Sequence, residues 1–298
     1  MPLLTNLNGH IAATAQVSIL DRGFLYGDSV YEVIRTFRGR HFGLQEHLAR
    51  LRQSADYLYM AVPWTDAEIQ TEVEKTLAQA DWQESYIRVV VTRGTDIAIG
   101  LQPSAEIQPN LLIIISAIAP EPVLSETGLH LVIPQRIRND KKALDPAAKT
   151  GNYLNNILAL FEAQQMGADD ALLLNAQGEI TEATTSNLWI VREGVVLTPP
   201  VEVGILQGIT RRFVLQILQE QNIPYAEQVL VPTDLDNIQE AFLSSSVRLL
   251  MPVRQIHKTP LPECPGTITR LAWQALLELM DTHSAKAEAT AEIPGGLA

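Results

Sequence analysis

Lys149 follows the small, uncharged run Pro146-Ala147-Ala148 and precedes Gly151, the aromatic Tyr153 and the amides Asn152, Asn155 and Asn156. The other lysines, at 75, 141, 142, 258 and 286, have more charged surroundings. An amine becomes a nucleophile toward a carbonyl when desolvation lowers its pKa, the condition for Schiff-base chemistry. A lysine capping a loop would look the same, so the assignment needs partners.

Several stretches offer them. "GEITEATTSNLWIV" places Glu182 at the end of a short strand, before Thr184, Thr185 and Ser186 and a second apolar strand. A carboxylate there is costly to bury without a cation; an exposed turn glutamate is the alternative. "GILQGITRRF" puts Gly208, Ile209 and Thr210 before an amphipathic helix, where free N–H groups and a partial positive charge suit a phosphate, or where the residues merely cap. Ser244, Ser245 and Ser246 form a hydroxyl cluster at a strand end, and a polar turn is its alternative. Arg50, at the edge of a helix's apolar face, could grip a phosphate with two N–H groups or pair with an acid such as Glu46. Lysine, acid and anion site are together what pyridoxal phosphate requires: a carbonyl partner, a group that keeps the pyridine nitrogen protonated, and a phosphate cradle.

Other chemistries lack their signatures. The chain has no G-x-G-x-x-G, no P-loop, no G-x-S-x-G and no H-E-x-x-H, and its six histidines are scattered. Cys264 is the only cysteine, which excludes an intramolecular disulfide and a thiolate-rich metal site. A net charge of -12 over 298 residues repels phosphodiester backbones and anionic lipid, so neither nucleic acid nor membrane is expected as a partner. With no readable secretory signal or apolar span, the expected location is the cytoplasm.

The elements that must position these residues follow from periodicity. Residues 27–42 read as strands joined by a hairpin at Gly39, and residues 44–60 and 66–80 as amphipathic helices. Residues 86–92 and 111–118 read as buried strands, then 129–134 as a strand, 153–166 as a helix, 171–174 and 188–191 as strands, and 209–221 as a helix. The run "AIAPEPVLSETG" breaks every period. The expected organisation is therefore an N-terminal domain at 1–116, a linker at 117–128, a C-terminal domain at 129–283 and a mobile tail at 284–298.

Seven blocks in order, "DRGFLYGDSVYEVIRTFRGRHF", "EHLARLRQSA", "YIRVVVTRG", "KTGNYLNN", "GEITEATTSNLWIV", "GILQGITRR" and "SSSVRLLMPV", make the chain resemble the fold-type IV pyridoxal-phosphate enzymes, also called class IV aminotransferases. These include branched-chain and D-amino-acid aminotransferases and aminodeoxychorismate lyases. The resemblance implies a mixed α/β (α+β) fold of two domains, the smaller N-terminal, the larger C-terminal with a barrel-like sheet, and pyridoxal 5'-phosphate at their interface. It implies a homodimer that acts on an amino acid and a 2-oxo acid. It makes Lys149 the covalent and proton-shuttling residue and gives Glu182 the pyridine nitrogen. Arg50, Ile209, Thr210 and Ser246 would hold the phosphate, with Gly208 and Ser245 beside them in the cofactor site, Leu206 on the ring face and Tyr153 near the cofactor hydroxyl. Tyr26, Tyr31, Arg35, Tyr86, Arg88 and Val247 would line the substrate pocket. "YIR" with "RGTDIAIGLQP" resembles branched-chain enzymes, whereas "VYEVIR" and "EATTSN" look like D-amino-acid enzymes. The expected activity is transamination of branched-chain L-amino acids with 2-oxoglutarate; D-amino-acid transamination, aminodeoxychorismate lyase and an inactive binding scaffold are the alternatives, in that order.

Overall fold

A computed structural model describes residues 2–97 and 99–291, with side chains through 282. The chain divides into two units. One comprises the residues through Glu121, Ala148–Asn152 and the chain from Leu279; the other comprises Pro122–Ala147 and Tyr153–Glu278.

The first unit contains β1 (Leu3–Leu7), β2 (His10–Ala12), α1 (Arg22–Tyr26), β3 (Ser29–Phe37), β4 (Arg40–His41), α2 (Leu44–Tyr57), α3 (Asp66–Leu77), β5 (Ser85–Thr92) and β6 (Asn110–Ala117). Its strands run in the order β2-β1-β6-β5-β3-β4, each antiparallel to its neighbours. Alternation sets the two faces. Ile87, Val89 and Val91 of β5 are fully buried and join Leu48 and Leu51 of α2 and Ile69 and Val73 of α3 in one core, each such side chain contributing roughly 1.5–3 kcal/mol. The residues between them, Tyr86, Arg88 and Val90, lie half-buried on the opposite face. Thr65 and Glu68 close a reciprocal cap at the start of α3, which fixes how it enters this layer.

The second unit contains β7 (Leu129–Val132), α4 (Leu154–Gln165), β8 (Asp170–Leu174), β9 (Ile180–Ala183), β10 (Asn187–Arg192), β11 (Val195–Thr198), α5 (Ile209–Glu220), β12 (Tyr225–Glu227), β13 (Glu240–Ser245), β14 (Leu249–Ile256), β15 (Thr259–Pro260) and the start of α6 (Thr267–Ala291). Strand order along the sheet is β12-β11-β10-β13-β14-β7-β8-β9, with β15 on β14. β9 and β10 are consecutive in sequence yet five steps apart along this path. Five strand spacings cover about 24 Å, whereas the connector 184–186 reaches about 14 Å at full extension. The sheet therefore curls, and Leu131, Leu172, Leu188, Ile190, Leu243 and Val253 fill its interior.

Two expectations change. Ala148–Asn152 belongs with the first unit, so Lys149 does not lie in a contiguous C-terminal domain at 129–283; pairing with β3, described below, outweighs chain position. Residues 284–291, read as tail from their small polar side chains, continue α6, because Ala, Lys and Glu are strong helix formers. The remainder of the tail lies outside the described residues. The first segment of the first unit ends at Glu121, and residues 118–128 form neither helix nor strand.

Candidate active site

β3 places the first group of residues. Its Val33 pairs with Arg88, Arg35 with Tyr86 and Tyr31 with Val90, so Tyr31, Arg35, Tyr86 and Arg88 share the face turned away from α2 and α3. Lys149 comes to the same strand. Its carbonyl accepts the Tyr31 N–H at 3.1 Å, Gly151 N–H donates to the Ser29 carbonyl at 2.8 Å, and Val30 bridges Thr150. A Cβ on Gly151 would stand 2.3 Å from Ser29 Oγ, so glycine is what admits the segment this close. On its other side, Lys149 N–H donates to Ser54 Oγ of α2 at 3.0 Å. The main chain of Lys149 is thus pinned from both neighbours, and its amine lies 4.4 Å from the Tyr31 ring centroid, with the Arg88 guanidinium carbon 3.8 Å from the same centroid.

The opposite face of β3 carries an ionic cluster that sequence reading missed. Glu32 is fully buried and takes two hydrogen bonds from Arg50, both at 2.7 Å, and a contact with His47 Nδ1 at 2.6 Å. Burial alone would raise its pKa, but Arg50 and His47 outweigh burial and hold it at about 2, below 4.5. Burial pushes His47 below its ordinary 6.5, against the pull of Glu32. Arg50 therefore has its orientation fixed by an acid eighteen residues upstream in sequence.

These shifts set how stability varies with pH. A carboxylate with a depressed folded pKa contributes stability that is fully present above its unfolded value and lost as pH falls through the folded one. A histidine whose folded pKa is depressed acts in the same direction below pH 6.5. Thermal melts should show a midpoint that falls as pH drops below about 6.5 and falls further between about 4.5 and 2. Glu32→Ala should flatten the lower part of that profile and cost about 3–5 kcal/mol at neutral pH, because Arg50 loses the buried carboxylate it meets at 2.7 Å.

In the second unit the strand ends converge on Glu182. The residue is 4% exposed. Its Oε1 accepts Arg138 Nη2 at 2.7 Å, and its Oε2 accepts Asn187 Nδ2 and the Leu206 N–H, both at 3.1 Å. Arg138 also donates to Asn156 Oδ1 at 2.9 Å, and Asn156 donates to the Thr184 carbonyl at 2.6 Å. Sequence reading offered this acid no protein cation; Arg138 supplies one. With these donors aimed at it, the carboxylate is an oriented acceptor.

The start of α5 fits an anion. Gly208 is its N-cap and brings no side-chain acceptor to the first-turn N–H groups, leaving those of Ile209 and Thr210 for a ligand. A Cβ on Gly208 would stand 2.1 Å from Asn187 Oδ1. The hydroxyl of Ser186, 5% exposed, has no hydrogen-bond partner, a cost that a bound polar group would offset. Gly208→Ala should displace Asn187, and through it Glu182. Titration with free pyridoxal phosphate should show at least about 10-fold weaker binding, as expected for a lost charge-assisted bond.

The remaining expected residues fall on loops and at element ends. Asn187 pairs with Ser244, and Ser245 with Leu249, so the turn 246–248 with Ser246 and Val247 lies at the same sheet end as the loop 184–186. Ser244 is committed to Trp189, whose Nε1 donates to it at 2.9 Å. Leu206 contributes its main chain to Glu182, and Tyr153 is the half-buried N-cap residue of α4. Tyr26 ends α1, off the sheet, with the Arg22 guanidinium carbon 4.9 Å from its ring.

A family model for amino-transferase class IV matches residues 29–256. A putative branched-chain-amino-acid aminotransferase of Methanocaldococcus jannaschii is 39% identical over 242 residues, 81% of this chain and 83% of that protein. A D-alanine aminotransferase of Bacillus licheniformis is 30% identical over 94% of this chain and 98% of its own length. Among solved structures, the branched-chain aminotransferase of Thermoproteus uzoniensis with norvaline superposes with a TM-score of 0.86 at 30% identity, over 93% of this chain and 95% of that one.

Proposed function

The chain belongs to the class IV aminotransferase family, and from that premise we propose that it moves the amino group between branched-chain L-amino acids and 2-oxoglutarate, with Lys149 as its catalytic lysine. Pyridoxal 5'-phosphate is the cofactor of this enzyme class, and when bound it supplies the carbonyl that accepts the amino group and the electron sink that acidifies the substrate's α-carbon. Lys149 is the residue to form the covalent link and, once released by substrate, to carry the α-proton on its amine. Glu182 is the acceptor for the pyridinium N–H. Arg50, Ile209, Thr210 and Ser246 are the phosphate ligands, with Ser245 and Gly208 shaping their loops, Leu206 against the ring and Tyr153 near its hydroxyl. Tyr31, Arg35, Tyr86 and Arg88 present aromatic and cationic groups for a carboxylate substrate, joined by Tyr26 and Val247.

The observation that carries the site assignment is the restraint of Lys149: a half-buried amine over an aromatic ring, with its main chain held by Ser54 and Tyr31. The substrate choice is supported by the 39% identity to the archaeal branched-chain protein. The D-alanine enzyme, matched over nearly the whole chain, favours D-amino acids as the second reading. Following the loss of cofactor absorbance with L-leucine and with D-alanine separates the two. Loss with L-leucine and not D-alanine is expected, and the reverse would replace the first reading by the second.

We also infer a cytoplasmic homodimer. Leu154, Ile157 and Phe161 form an i, i+3, i+7 stripe on α4 that is 65%, 43% and 53% exposed, the kind of apolar face that a second copy covers. Among the described residues no helix is long and apolar enough to cross a membrane, and the charge of -12 disfavours nucleic acid.

A further inference from the structure

Asn152 has no role above, yet it sits where the register of the Lys149 segment is decided. Residues 149–152 run antiparallel to the start of β3, with Thr150 bridged to Val30, so Lys149 lies opposite Tyr31 and Gly151 opposite Ser29. Residues directly opposite in such a pair share a face, which brings the Lys149 amine to 4.4 Å from the Tyr31 ring centroid. A slip of one residue would carry the amine to the other face of the sheet. The main-chain bonds do not prevent that slip. Tyr31 N–H to the Lys149 carbonyl, Gly151 N–H to the Ser29 carbonyl and Lys149 N–H to Ser54 Oγ all use backbone groups that nearly every residue carries.

Asn152 supplies a bond that belongs to one register. Its Nδ2 donates to the Gly27 carbonyl at 3.0 Å and reaches back to Thr150 Oγ1 at 3.4 Å, and its own N–H donates to the same hydroxyl at 3.3 Å. The amide is braced within its segment and bonded across to the chain that leads into β3. Its receptor is specific and stiff. Gly27 is the left-handed C-cap of α1, with φ 68°, and a Cβ there would stand 2.7 Å from Asn152 Oδ1, so the missing side chain is what lets the amide lie against it. The next residue, Asp28, is gripped through one carboxylate oxygen by Arg22 Nε at 3.1 Å and Arg93 Nε at 2.7 Å. Gly27 is therefore a fixed mark against which the segment is set.

We propose that Asn152 is a positioning residue for Lys149: by bonding Gly27 it fixes the register that presents the amine on the Tyr31 face. This role rests on the transaminase reading and deepens it. Asn152 acts through the main chain of its own segment, three residues along from the amine it serves. Proton transfer is steep in distance and angle, so a small displacement of the carrier reaches the rate long before it reaches the fold.

The test compares Asn152→Leu and Asn152→Asp with wild type. Leucine keeps the bulk and removes the donor; aspartate keeps the shape and turns an acceptor toward the Gly27 carbonyl. Asn152 is exposed, so neither change leaves a buried hole, and each variant should melt within about 4 °C of wild type. In the apoprotein, amide exchange read by mass spectrometry should show protection at Tyr31 and Gly151 reduced about 10-fold in both variants, the scale of one lost hydrogen bond. In the holoenzyme kcat should fall about 10- to 100-fold, as for a reacting group displaced by up to an ångström, while KM for L-leucine stays within about 2-fold. Wild-type exchange at both amides would overturn the lock on the register. Faster exchange with unchanged kcat, or wild-type kcat in the aspartate variant alone, would overturn the role in positioning Lys149. A wild type that rejects every amino acid would sink the transaminase reading instead, and the exchange comparison, made without cofactor, would still decide the lock.

Discussion

Lys149→Ala should lower transamination by at least about 10⁴-fold, because the substitution removes the covalent link and the proton carrier together. Its effect on stability should be small. The contacts that hold this segment, to Ser54 Oγ and Tyr31 N–H, are made by the main chain of Lys149 and survive the change. A variant that melts within about 1 °C of wild type while single-turnover kinetics show no α-proton exchange would separate chemistry from folding. Residual activity above about 1% of wild type would mean that another group moves the proton.

Glu182→Gln should cost about 10²- to 10³-fold in kcat/KM, comparable to deleting one preorganised charge-stabilising group. This variant has a second consequence, since Arg138 loses the buried anion it meets at 2.7 Å. Breaking such a pair costs about 3–5 kcal/mol, whereas replacing both members is often nearly neutral. The double variant Glu182→Gln with Arg138→Met should therefore regain most of the melting temperature and none of the rate. If rate recovers with stability, Glu182 is a structural acid and its assignment to the pyridine nitrogen is wrong.

The parts of the fold with strict local periodicity were legible before any coordinates. The helices at Leu44–Tyr57 and Ile209–Glu220 announce themselves because one face of each is apolar, and the strands at Ser85–Thr92 and Asn187–Arg192 because each holds a short run of apolar residues. Lys149 was legible through what its neighbours lack. Its location was not: the bond to Ser54 joins residues 95 apart in sequence, and no local rule reports that. Arg138 lies 44 residues from Glu182, so its partnership was equally invisible.

Glu32 differs, because a signal existed. It alternates with Val30 and Ile34 on the buried side of β3, and a carboxylate at a core position requires a cation from a facing element. Arg50 and His47 lie a turn apart on the next helix, at the spacing such a partner needs. The final helix was missed for the opposite reason. Residues 284–291 have helix-forming side chains without an apolar period, and composition was read where propensity should have been.

Every role assigned at this site depends on one amine being the carrier of the cofactor. Reducing the purified holoenzyme with borohydride, digesting it and mapping the pyridoxyl label by mass spectrometry tests this directly. The label is expected on the peptide containing Lys149 and nowhere else. A label on Lys141, Lys142 or any other lysine, or a protein that carries none after reconstitution, would contradict it.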